Sequence, residues 1–109
     1  MAIPHAHPGM PVDLQPLGEA LAETETTALV KNDAFEAIRL VLRKGKEVCH
    51  EHEVGGVITV YCLEGRVALS ADGATHELPA GHWTYLLRQT PHALRAIEDS
   101  SVLLTVMFH

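Results

Sequence analysis

From residue 26 to the C-terminus, apolar positions fall in short runs, many alternating with polar ones, and turn residues separate them. Residues 26–30 are followed by Asn32-Asp33, a turn signal. Residues 35–43 form an extended run that stops at Gly45, and residues 48–53 a shorter one that stops at Gly55-Gly56. Residues 57–63 are dense in β-formers and end at Glu64-Gly65. Residues 66–71 alternate apolar and polar up to Asp72-Gly73, a hairpin dipeptide. Residues 74–78 lead to Pro79-Ala80-Gly81, residues 83–87 to Thr90-Pro91, and residues 92–97 to a polar break at 98–101. Residues 102–108 close the chain.

This pattern predicts about eight or nine short strands with turns every eight to twelve residues, which is how a sandwich or barrel reads in sequence. No helical segments separate the strands, so the sheets are expected to be antiparallel. An all-β jelly roll or small barrel fits the length.

The first stretch has a different texture. Pro4, Pro8, Pro11 and Pro16 lie here with Gly9 and Gly18. Proline fixes φ and removes donors, so neither helix nor central strand is expected. Residues 18–23 could make one helical turn, with Leu17 and Leu21 on one face. The expected organisation is a partly flexible arm over 1–23 and one β-barrel domain over 24–109.

Charge narrows the partners. Eight Lys and Arg stand against fourteen Asp and Glu, a net of −6, with no basic cluster beyond residues 43–46. Nucleic acid and anionic membrane both need a basic footprint, so neither is expected. Aromatic residues are only 5%, too few for a base-stacking platform. No charged segment followed by an apolar core opens the sequence, so the expected compartment is the cytoplasm. Two cysteines, Cys49 and Cys62, are too few for a disulfide framework and suit a reducing environment.

Histidine is over-represented, at eight. His50 and His52 are two apart, so on a strand they share a face and can chelate one ion. Imidazole suits iron, nickel, copper and zinc. His92 is the best third ligand, because it opens an apolar strand after the Thr90-Pro91 turn. His5 and His7 lie on the proline-rich arm, and His76 and His82 near turns, where solvation is expected.

Gly45, His50-Glu51-His52 and Tyr61-Cys62-Leu63-Glu64-Gly65 resemble the first motif of the small single-domain, RmlC-like cupins. Gly81, followed eleven residues later by His92 with Pro91 before it, resembles the second motif, and the 15 residues 66–80 match the short spacer between them. The resemblance covers residues 28–108. It implies an antiparallel double-stranded β-helix, the jelly-roll barrel. It also implies a divalent transition metal (Fe, Ni, Mn or Zn), open coordination positions for oxygen chemistry of the dioxygenase type on a small organic substrate, and a homodimer. There are departures. Ile58 stands at the usual metal-binding glutamate and cannot ligate, and the histidine pair lies one residue nearer Gly45 than usual. Leu87 and Gln89 replace the usual proline and glycine, and Ala96 the terminal asparagine. The ligand set left is His50, His52 and His92. The alternative is a non-catalytic small-ligand-binding or sensor protein with a degenerate or empty metal site.

Strand parity groups Val48, Ile58, Val60, Cys62 and Leu94 as apolar pocket walls, which suit a small, partly hydrophobic ligand. Cys62 reads as a small buried hydrophobe, and Cys49 points to the other face. Glu51 and Glu53 alternate with the histidines and would ligate only through a bulge. Arg39 sits mid-strand among apolar residues and is expected on a solvated outer face. Trp83 and Tyr85 share one face and are expected in the core or at a subunit interface.

Overall fold

Alternating apolar positions build two facing sheets in the computed structural model, which describes residues 6–50 and 56–108, with the backbone alone for His50. The strands are β1 (Thr27–Lys31), β2 (Phe35–Leu42), β3 (Glu47–His50), β4 (Ile58–Glu64), β5 (Arg66–Ala71), β6 (Ala74–Pro79), β7 (Trp83–Leu86), β8 (His92–Ala96) and β9 (Ser100–Met107). One sheet has the order β1-β2-β9-β4-β7 and the other β3-β8-β5-β6. Every pairing is antiparallel. The expected all-β jelly roll is the observed architecture.

The core follows from strand parity. Ile58, Val60 and Cys62 of β4 stand opposite Val106, Leu104 and Val102 of β9. These six meet Val67 and Leu69 of β5 and Leu94 and Ala96 of β8 across the sandwich, all buried. Each large aliphatic side chain so enclosed contributes about 1.5–3 kcal/mol. At one lateral side β6 and β7 are the edge strands of their respective sheets and are not paired to each other.

Two expectations change and a third narrows. Ser100 and Ser101, read as part of a polar break, begin β9 and are wholly buried. Their hydroxyls are satisfied over long sequence distances. Ser100 Oγ donates to the Arg66 carbonyl at 3.1 Å or to the Glu98 carbonyl at 2.7 Å, and accepts the Arg66 N–H at 3.0 Å. Trp83 and Tyr85 are not core residues of this chain, being 57% and 53% exposed on the outer face of the five-stranded sheet, with ring centroids 5.8 Å apart. Arg39 is not solvated: it is 8% exposed.

What covers Arg39 is the N-terminal segment. A β-bulge between Cys62 and Glu64 brings Glu64 opposite Ser101 and turns its side chain to the outer face beside Arg39. The Glu64 carboxylate accepts the Leu17 N–H at 2.6 Å, the Gly18 N–H at 3.1 Å and the Ser101 hydroxyl at 2.8 Å. Arg39 Nη2 donates to the Gln15 carbonyl at 2.6 Å. Leu17 is in the right-handed region and Gly18 in the left-handed one (φ 58°), so their consecutive N–H groups form a concave anion nest. A 3-10 helix follows at Gly18–Glu23 and buries Leu21.

Candidate metal centre and ligand cavities

His92 is the first residue of β8 and only 8% exposed. Its Nδ1 lies 2.9 Å from the Thr90 carbonyl. A carbonyl only accepts, so Nδ1 carries the proton and the lone pair of the neutral ring is on Nε2. Such a carbonyl contact fixes the tautomer and ring orientation of metal-binding histidines. The Thr90-Pro91 turn supplies that carbonyl two residues ahead of the ring. In the sheet register position 50 of β3 stands opposite position 92, which stands opposite Ala71 of β5.

The proposed third ligand, His52, lies outside the described residues, as do Glu51, Glu53 and the side chain of His50. Among the described residues no three His, Cys, Asp or Glu side chains come together as a metal site.

The predicted pocket walls divide into two groups. Val48, Val60 and Leu94 line an internal cavity with His92, Leu40, Leu69 and Leu104. Its volume is about 10 Å³, close to the least that holds one water. Ile58 and Cys62 are buried in the core and do not line that cavity. The Cys62 thiol donates to the Glu64 carbonyl at 3.4 Å, and burial pushes its pKa above the ordinary value, so it stays protonated at neutral pH. Cys49 is exposed on the outside of the four-stranded sheet.

The larger spaces lie elsewhere. An outer hollow of about 590 Å³ is bordered by Cys49, Ser70, Thr75, Pro91, His92 and Ala93. A lateral cleft of about 310 Å³ lies between β6 and β7, lined by Leu69, His76, Leu78, Thr84, Tyr85 and Leu86, with Ala71, Asp72 and Ala74 at the β5–β6 turn. The sequence reading has His76 only as solvated near a turn and does not name Thr84. A usable signal was present: His76 shares parity with Leu78, and Thr84 with Leu86, so both pairs belong to the inner faces.

Residues 39–108 match the family model described as a cupin domain. The chain belongs to the cupin domain family. An RmlC-like cupin protein from Desulfovibrio desulfuricans is 27% identical with a TM-score of 0.68, the match covering 75% of this chain and 79% of that one. A conserved protein of unknown function from Streptococcus pyogenes is 24% identical with a TM-score of 0.74, over 98% of this chain and 95% of that one. Salicylate 1,2-dioxygenase from Pseudoaminobacter salicylatoxidans is 20% identical with a TM-score of 0.68, over 75% of this chain and 24% of that one. No curated protein matches the chain. Among the described residues no helix of this cupin is long and apolar enough to cross a membrane.

Proposed function

We propose that this cupin binds a divalent transition metal through His50, His52 and His92 and acts on a small organic substrate. The observation that carries the reading is the pairing of positions 50 and 92 on neighbouring strands, together with the Thr90 carbonyl at His92 Nδ1. Directly opposed residues of an antiparallel pair share a sheet face. The donor set fits: neutral imidazoles suit iron, nickel and zinc. Bound there, iron would supply redox chemistry with dioxygen, and zinc Lewis acidity. The chain itself orients His92, and Val48, Val60, Leu94 and Leu104 give its inner side an apolar wall. The similarity to a dioxygenase domain is the reason for naming oxygen chemistry first.

Ile58 supports a second reading. It stands where the family's glutamate would be and is buried in the core at 4% exposure, which fits a small-ligand-binding protein better than a full catalytic ligand set. Aerobic turnover of small thiols or β-dicarbonyls by the iron-loaded protein would favour the enzyme; tight retention without turnover would favour the binder. A homodimer belongs to either version, and the exposed Trp83–Tyr85 pair is a suitable contact.

The test is metal content by mass spectrometry on the full chain carrying His5→Ala and His7→Ala, compared with the same protein carrying also His50→Ala and His92→Ala. About one metal per chain in the first and none in the second is expected. No metal in the first, after reconstitution with iron, nickel, manganese and zinc in turn, overturns the reading.

A further inference from the structure

We propose that the organic part of the ligand sits in the lateral cleft between β6 and β7, and that His76 and Thr84 select it as a small uncharged molecule with an apolar body and a hydroxyl or carbonyl group. The proposal deepens the metal-site reading, on which its functional meaning rests.

Space decides first. The internal cavity behind His92 is about 10 Å³ and takes at most one water, so no organic ligand enters the barrel there. The lateral cleft, at about 310 Å³, reaches the size range of small-molecule pockets. It opens at the same end of the barrel as the histidine: Ala71 lines the cleft and pairs with His92. Leu69 lines both the cleft and the cavity under His92, so a molecule in the cleft lies beside the candidate metal centre.

The lining decides the chemistry. Leu69 and Leu78 are buried core residues and, with Leu86, give an apolar floor. His76 and Thr84 come from the two facing edge strands and bring an imidazole and a hydroxyl, each able to donate or accept. Among the described lining residues there is no Lys or Arg to hold an anion, while Asp72 stands at the rim and the chain carries −6 overall. Anions are therefore disfavoured. The outer hollow is larger, but Cys49, Ser70, Thr75 and Ala93 sit on the outer face of the four-stranded sheet, away from the core leucines.

The test is an amide chemical-shift titration of the full chain with two probes of one shape, p-cresol (uncharged) and p-toluate (its carboxylate counterpart). It is run on the metal-free protein and again with zinc. We expect p-cresol to shift the amides of Leu69, His76, Leu78, Thr84 and Leu86, and p-toluate to bind more weakly. His76→Ala should weaken p-cresol about fivefold, the value of one net hydrogen bond, and Thr84→Val gives the same reading from the other strand without changing the floor. Shifts centred on Ser70, Thr75 and Ala93, tighter binding of p-toluate, or no cleft shift with either probe would each overturn the proposal. Zinc affinity measured in the same samples with and without His92→Ala reads the metal site separately. Cleft binding that survives a failed metal site leaves this proposal standing while the other falls.

Discussion

The Arg39 guanidinium lies 3.5 Å from the Glu64 carboxylate, with both side chains largely withdrawn from water at 10% and 14% exposure. Neither charge is conspicuous in its own strand. They meet because a bulge re-aims Glu64, and the N-terminal segment then closes over both. The pair is incompletely satisfied, since Arg39 Nε is buried without a hydrogen-bond partner among the described residues. Withdrawing such charges from water is costly, so removing one partner strands the other.

Glu64→Gln should therefore destabilise the fold by about 3 kcal/mol, the scale expected when a buried charge loses its partner. Urea unfolding measures it. The amides of Leu17 and Gly18, which Glu64 accepts, should lose their protection from hydrogen exchange before the core strands do.

Acid should undo the same contact. Burial alone would raise the Glu64 pKa, but hydrogen bonds from Leu17, Ser101 and Gly18 and the Arg39 charge outweigh it and hold the value below the ordinary one. A depressed folded pKa means stability that is complete above the ordinary glutamate range. It is lost as the pH falls through the folded value. Wild-type stability should drop over that acid interval, and Glu64→Gln should flatten the drop. An equal slope in both proteins would remove Glu64 as the source.

Gly65→Ala should be among the most damaging single changes. Gly65 has φ 82°, and a Cβ there would collide with the Asp99 carbonyl and Ser100 Oγ. Main chain and a buried hydroxyl cannot retreat cheaply, so a loss above about 3 kcal/mol is expected, read as a fall in Tm or as insoluble expression.

Gln89→Gly should do the reverse. Gln89 has φ 61°, a left-handed conformation that costs a side-chain-bearing residue about 1–2 kcal/mol. Glycine removes that strain and gives back part in chain entropy, for a net gain of about 1 kcal/mol and a Tm raised by about 5 °C. An unchanged or lower Tm would show that the Gln89 side chain contributes contacts worth as much.

The strands from Ile58 to Ala96 were legible because their turns carry strong local signals, such as Asp72-Gly73 and Pro79-Ala80-Gly81. The family motifs named position 50 and His92 as ligand candidates, while the register that puts one across from the other came from the strand pairing. Ser100, Ser101 and Arg39 were not legible. Whether a hydroxyl or guanidinium can be buried depends on partners that lie 24 to 62 residues away, and on a bulge no local composition announces. His76 is exposed, as expected for a polar residue near a turn; what the sequence does not announce is that the facing strand β7 makes it part of a cleft lining. Of the candidate ligands, position 50 pairs with His92, while His52 lies outside the described residues.

The clasp over Arg39 reads only main-chain atoms of the arm: the carbonyl of Gln15 and the amides of Leu17 and Gly18. Side-chain identity at Gln15 plays no part in it, so that position is free to drift. Gly18 is fixed by its left-handed shape alone. Peptide libraries grafted onto this stretch would keep the lock as long as that bend is kept, which makes residues 15–18 an address written in backbone geometry.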